Sequence, residues 1–203
     1  MAEMEMDEAT LAAKFEAENA AEIAAEKDKR FELTGATADE VAEPAPVPVV
    51  AVEAAAAPAK AERLSPLQKI SKLTVGERVK LAMLGNKEER ALLIRDGSRV
   101  VYAAVMASPK LTDQEVETIA SMKNVQEGVL REVARNRKFI KSYTVMKNLV
   151  NNPRCPMDLS LNFIKNLLPP DLKALSMNKG VPETVRKLAL RSFKEKTGKK
   201  GEN

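Results

Sequence analysis

The chain lacks histidine and tryptophan altogether, carries one cysteine, and has an aromatic content of only 3% in 203 residues. Without an imidazole, Ser-His-Asp and Cys-His nucleophilic mechanisms, histidine metal ligands and a histidine pH switch are excluded. With Cys155 as the only thiol there is no intramolecular disulfide and no cysteine-rich zinc or iron–sulfur site. Cys155 reads as a small packing residue, Arg154 being its one sequence-adjacent cation. A core poor in rings has to come from Leu, Val, Ile, Met and Ala, which favours helix-on-helix packing over a β-sandwich. Long apolar runs are missing too. The nearest candidate, "VPVVAVEAAAAPA", is short and broken by Glu53 and prolines, so no membrane span is expected. The N-terminus is acidic and has neither the basic nor the apolar region of a secretory signal, so a cytoplasmic location is expected. "LAMLGNKEER" offers a lone Gly85 without the Walker lysine spacing, so no phosphate loop is supported. Catalytic residues, cofactors and metal ligands are all expected to be none.

What is present is unevenly distributed. Residues 1–63 hold 6 basic and 15 acidic residues, a net of −9, whereas residues 64–203 hold 27 and 14, a net of +13. Residues 1–33 read as an acidic arm, helical by its Ala/Glu/Lys composition but marginal alone because few side chains larger than alanine occur in it. Residues 34–62 mix alanine and proline with almost no large side chains and read as a disordered linker. An ordered domain is expected over residues 63–196, and a disordered basic tail over 197–203.

Helix starts recur within the ordered part. Ser65 precedes Pro66, an N-cap followed by proline at the first helical position. Thr74 with Glu77, Thr112 with Glu115, and Asn124 with Glu127 have the capping-box spacing. Val75, Val79, Ala82 and Met83 share one helical face, as do Phe139, Tyr143, Met146 and Val150. From Asp158 to Leu168 apolar residues surround the circumference, as in an inner helix buried on both sides. The fold class expected is all-α.

Two long stretches, "SRVVYAAVMASPKLTDQEVETIA" and "SYTVMKNLVNNPRCPMDLSLNFI", repeat one shape, with turn prolines Pro109 and Pro153 lying 44 residues apart. "ERALLIRD", "LREVARN" and "VRKLALR" share an arginine register at Arg90, Arg131 and Arg186. The first two arginines are 41 residues apart, and the spacing to the third is 55. Periods of roughly 40–47 residues belong to two- or three-helix repeats. Over roughly residues 74–196 these motifs resemble the HEAT-like and leucine-rich-repeat-variant superfamily of α-helical repeats. The resemblance implies a short α-solenoid acting through an extended face. Iron–sulfur members of the variant family carry a cysteine cluster that this chain lacks, so that cofactor is not carried over.

The register arginines read as structural, tying helix ends and neighbouring units together. Tentative partner-binding residues come instead from two basic stripes. "REVARNRKFIK" places Arg131 and Arg135 one turn apart on one helix, and Arg137 and Lys141 one turn apart on the next, with Lys138 beside them. Lys187, Arg191 and Lys194 form the second stripe. The expected function is a non-catalytic protein-interaction scaffold or adaptor holding an acidic partner. The alternative is a nucleic-acid-associated protein contacting phosphates non-specifically; Tyr102 and Tyr143, both at apolar helical positions, leave base-stacking platforms scarce. Asp113, Glu115 and Glu117 suit the first turn of a helix and need no acid–base role. The acidic arm is expected either to compete for the basic surface or to dock on another protein.

Overall fold

The structure is a computed structural model that describes residues 7–34 and 65–198. Most of the linker expected at 34–62, and the tail from 199 onward, lie outside the described residues. Among the described residues there are thirteen helices and no strand. Two helices precede the linker: α1 (Glu8–Glu18) and α2 (Ala20–Ala25). Eleven follow: α3 (Pro66–Ser71), α4 (Val75–Leu84), α5 (Lys87–Leu93), α6 (Arg99–Ala107), α7 (Asp113–Ser121), α8 (Glu127–Arg135), α9 (Arg137–Ile140), α10 (Tyr143–Asn151), α11 (Met157–Ile164), α12 (Pro169–Met177) and α13 (Glu183–Gly198).

Local sequence explains most of these boundaries. Ser65 accepts from the Gln68 N–H, Thr74 from Glu77 and Thr112 from Glu115, each glutamine or glutamate reaching back to the cap's own N–H. Such boxes satisfy two of the donors that a helix start leaves open. The expected box at Asn124 is not formed. Gln126 caps α8, and Asn124, with its amide oxygen turned toward Arg95, accepts from Nε and Nη2 at 3.0 and 2.8 Å. Nor is there one long inner helix over 158–168. α11 ends at Ile164, and Leu168, 56% exposed, is extended at the N-cap of α12. The Pro169 that follows disfavours helical backbone at Leu168 and opens a new helix at its own first position. α13 continues through Thr197 to Gly198.

Besides contacts between consecutive helices, packing runs between helices that are not chain neighbours. α4 lies against α6 and α6 against α8; on the other side α3 lies against α5, α5 against α7 and α7 against α10. The C-terminal end is closed by α13 on α11 and α12. The core is mainly aliphatic, with Val79, Leu93, Val101, Leu130, Leu149, Ile164 and Leu172 enclosed and Tyr102, Phe139 and Phe163 its buried rings. α6 and α8 come close enough that a Cβ on Gly128 would stand 2.3 Å from the Tyr102 hydroxyl, so a larger residue there requires the tyrosine ring to move.

One connection is used four times. Residues 108–112, 122–126, 152–156 and 178–182 each join two helices in five residues, and the fourth residue of each (Leu111, Val125, Cys155, Val181) is buried. In three of them the fourth N–H closes a turn on the first carbonyl: Leu111 on Ser108, Cys155 on Asn152, and Val181 on Asn178. The first residue also reaches an earlier helix end. Ser108 Oγ donates to Met83 O at 2.8 Å, Asn152 Nδ2 to Ala120 O and Met122 O at 2.9 and 2.8 Å, and Asn178 Nδ2 to Asn151 Oδ1 at 3.2 Å. Terminal carbonyls that would be orphans are thereby satisfied by the neighbouring turn. Cys155 is one of these four anchors; burial pushes its thiol up, the Ser160 hydroxyl pulling only partly back.

Candidate functional site

The first stripe forms at a tight corner. Asn136 ends α8 and caps α9, its Oδ1 accepting from the Lys138 N–H at 3.0 Å, so the chain turns between Arg135 and Arg137. Arg135, Arg137, Lys138 and Lys141 are all exposed there. Arg135 pairs with Glu132 at 3.0 Å on its own helix, and Lys138 reaches Asp113 of α7 at 3.7 Å. Arg137 and Lys141 form no ion pair among the described residues. Beside the corner runs a groove of about 390 Å³ lined by Phe15, Met106, Glu132, Arg135 and Asn136. Phe15 belongs to α1, so this groove is shared with the acidic segment.

Arg131 does not join that group. It pairs with Glu127 at 2.8 Å and with Asp158 of α11 at 3.6 Å, and lines a separate groove with Cys155, Met157 and Pro182. The hydrogen bonds that Arg131 donates to Glu127 hold its guanidinium above the ordinary range. Lys187, Arg191 and Lys194 all lie exposed on α13, where Lys187 pairs with Glu183 at 2.8 Å and Arg191 with Glu195 at 3.0 Å. No hydrogen bond or ion pair among the described residues connects α13 to the α8–α9 corner.

The register arginines occupy unlike environments. Arg90 is buried, donates to Gly85 O at 2.8 Å and Lys110 O at 3.3 Å, and grips Glu115 through Nη2 at 2.8 and 3.0 Å. One side chain thus ties the end of α4, the turn before α7 and α7 itself. Burial draws the Glu115 carboxyl upward, but the Thr112 N–H and Arg90 outweigh it and hold the group below its usual value. Arg131 by contrast is exposed, and the Nε of Arg186 is buried without a partner among the described residues. Asp113 and Glu117 are engaged as well, with Lys138 and with the Ser142 hydroxyl at 2.9 Å.

Sequence reasoning passed over a second buried ion pair. Arg78 on α4 is fully enclosed, with Nη1 2.5 Å from Asp96 Oδ2 and Nη2 2.5 Å from Lys29 O, and the Phe31 ring lies 5.8 Å from its guanidinium carbon. Burial pushes the Asp96 carboxyl above its ordinary value, the Ser98 N–H and Arg78 pulling partly back. Around this pair residues 29–34 run beside the 94–98 turn. Gly97 N–H donates to Glu32 O at 3.1 Å, Thr34 N–H to Arg95 O at 2.8 Å, Lys29 Nζ to Gly97 O at 3.0 Å, and the Ser98 hydroxyl to Glu26. The sequence signal was an arginine on the same stretch as Val75, Val79 and Ala82, which a reading by apolar spacing alone leaves out.

Both tyrosines are committed internally. Tyr102 is buried, and Tyr143 donates its hydroxyl to Asp171 while accepting from the Leu168 N–H at 3.0 Å. Lys147 and Tyr143 hold the Asp171 carboxyl below the usual aspartate range.

The chain matches no family model, no curated protein and no solved structure. No described helix is long and apolar enough to cross a membrane, and the described residues contain no group of three or more Cys, Asp or Glu placed to hold a metal ion.

Proposed function

We propose that the chain is a non-catalytic interaction scaffold of the cytoplasm, a short α-solenoid of HEAT-like helical repeats that holds an acidic protein partner at the α8–α9 corner. The observation that carries the binding role is the pair Arg137, which opens a four-residue helix, and Lys141, which ends it, both exposed and in no ion pair among the described residues, beside the Phe15–Met106 groove. A cation whose charge is not compensated internally keeps its field for an incoming carboxylate. The α13 stripe is a weaker candidate, since Glu183 and Glu195 already compensate two of its three cations.

The solenoid reading is supported by the next-but-one packing of α4, α6 and α8, and by the four matching five-residue connections. Helix pairs too short to cover their own apolar faces bury them by stacking. Broad contact area is what such stacking offers a partner. The nucleic-acid alternative is less favoured because Tyr102 is buried and Tyr143 packs against the core with its hydroxyl bonded to Asp171.

The test is a pull-down with the full chain and with an R135E/R137E/K138E/K141E variant, repeated after nuclease treatment and at raised salt. Acidic proteins retained after nuclease and lost with the variant support the proposal. Capture abolished by nuclease would replace it with the phosphate-binding alternative.

A further inference from the structure

Residues 7–34 lie on a face made by α4, α6 and the 94–98 turn, and the way they are held describes a ligand class. Ala12 is buried, and Leu11, Phe15 and Ile23 pack half-buried against the core. Ile23 comes within 3.7 Å of where a Cβ on Gly76 would stand, so the α4 backbone is approached closely. Three carboxylates face three cations of the domain: Glu8 to Lys110 at 2.9 Å, Glu22 to Arg99 at 3.6 Å and Glu16 to Lys80 at 3.8 Å. A stripe of large apolar residues flanked by carboxylates, seated on an apolar face rimmed by cations, is helix-in-groove recognition with charge complementarity.

We infer that this face is a docking site for an acidic amphipathic helix of a partner protein, and that residues 7–34 are its resident intramolecular occupant. The inference rests on the acidic-partner reading above but assigns the binding to Lys80, Arg99 and Lys110, which meet the segment's carboxylates, rather than to Arg137 and Lys141. Two features make the occupant exchangeable. The hold of its helices is shallow, because α2 buries no residue, α1 buries only Ala12, and the Glu8–Lys110 and Glu22–Arg99 pairs are solvent-exposed while Glu16 is half-buried; the 29–34 stretch adds only a few backbone hydrogen bonds to the 94–98 turn. Moreover, its departure strands no charge. Arg78 keeps its ion pair with Asp96, which belongs to the domain, and loses only the Lys29 carbonyl and the Phe31 ring, roles that water or another helix can fill. Thirty residues, 35–64, separate the segment from α3, so it can leave the face while staying attached. A tethered occupant competes at an effective concentration set by the length of the connecting chain, so a free partner helix binds the intact chain more weakly than the emptied face.

The experiment uses the full chain with one protease-cleavage sequence inserted within residues 35–64, compared cut and uncut. The probe is a fluorescein-labelled designed helix keeping Leu, Phe, Ile and the three carboxylates at the spacing of residues 8–23 on an alanine and glutamine background, followed by anisotropy. Expected is binding to the cut protein at least about tenfold tighter than to the uncut one. Binding should be lost in the cut K80E/R99E/K110E variant and regained by a probe whose carboxylates are changed to lysine. R137E/K141E, two changes outside the groove that Phe15 lines, should leave probe binding unchanged, so a failure at this face is distinguishable from a failure at the corner. Equal binding to cut and uncut protein, a cut segment that excess probe does not displace, or loss of helical circular dichroism on displacement would each overturn the proposal. So would concentration-dependent self-association of the cut protein that excludes the probe, since the occupant would then be a second copy.

Discussion

Leu130 and Leu149 are wholly enclosed between α6, α8, α7 and α10, whereas Phe15 and Ile23, the large side chains of the acidic segment, are only half-buried. The same contrast holds for polar groups. Arg90 and Glu115 join α5 to α7 inside the domain, while Glu8, Glu16 and Glu22 reach across to exposed cations. The central helices therefore cohere by removing apolar area from water at about 25 cal/mol per Å². The segment relies on partial burial, backbone hydrogen bonds and screened charge, and such regions open first. Arg78–Asp96 stands where the two regimes meet.

The largest effect is expected at that meeting point. Asp96→Ala leaves the fully buried Arg78 charge without its counter-ion and removes the acceptor of the Ser98 N–H. Breaking a buried pair from one side costs about 3–5 kcal/mol. Urea unfolding of the variant measures this, and a loss under about 1 kcal/mol would mean that the hydrogen bond to the Lys29 carbonyl suffices to hold the buried guanidinium without a counter-ion.

Next in size is a matched pair of truncations. Leu149→Ala should cost about 2–5 kcal/mol by opening a cavity in a closed core. Phe15→Ala, at a half-buried position, should cost about 1–2 kcal/mol. Hydrogen exchange sharpens the difference. Phe15→Ala should accelerate amides of α1 and α2 and leave α7 and α10 protected, whereas Leu149→Ala should raise exchange across the domain. Uniform acceleration in both would show that the segment is part of one cooperative unit.

This division explains what the sequence disclosed. The all-helical class was legible because apolar spacing at Val75–Val79–Ala82 and the Thr74 and Thr112 boxes are local signals, and local geometry realises them. Asn124 has the right spacing too, yet Arg95 claims its amide, a tertiary contact invisible from position alone. The repeat expected from the sequence rests on Arg90 and Arg131, whose environments differ, whereas what the connections share is the buried residue just before the cap at Leu111, Val125, Cys155 and Val181. That marker is a single apolar residue in a polar turn, too brief for any periodicity measure. The basic stripes were legible as charge. Which cations stay uncompensated depends on Glu132, Asp113, Glu183 and Glu195, and only folding brings Asp113 to Lys138.

Acidification should separate the two buried pairs by sign. Glu115 has a folded value below its ordinary 4.5, so its stabilisation is full above about pH 4.5 and is lost as pH falls through the depressed folded value. Asp96 has a folded value above its ordinary 3.8, so the native state binds the proton more tightly and the parent gains stability as pH falls through the raised value toward about 4. Urea midpoints of parent, E115Q and D96N between about pH 3 and 8 test this. The parent's lead over E115Q should shrink below about pH 4.5, while its lead over D96N should widen as pH falls toward about 4. Parallel curves for the two variants would show that the pairs are electrostatically equivalent and that the contrast drawn here is one of position only.

The smallest effect concerns the rim of the segment. Lys110 pairs with Glu8 at 2.9 Å and also donates to Leu84 O at 3.3 Å, so Lys110→Ala alone mixes docking with the end of α4. A double-mutant cycle of Lys110→Ala and Glu8→Ala removes the helix-end contribution, because Leu84 is untouched by the second change. The coupling left should be about 0.2–1 kcal/mol at low ionic strength, the range of exposed pairs. In about 1 M salt, where the screening length is about 3 Å, it should vanish. The Leu149→Ala cost should not fall in the same salt, since apolar burial carries no charge to screen. A coupling that survives high salt would move Glu8 and Lys110 into the same class of contact as Arg90 and Glu115, and the acidic segment would then be held as the domain holds itself.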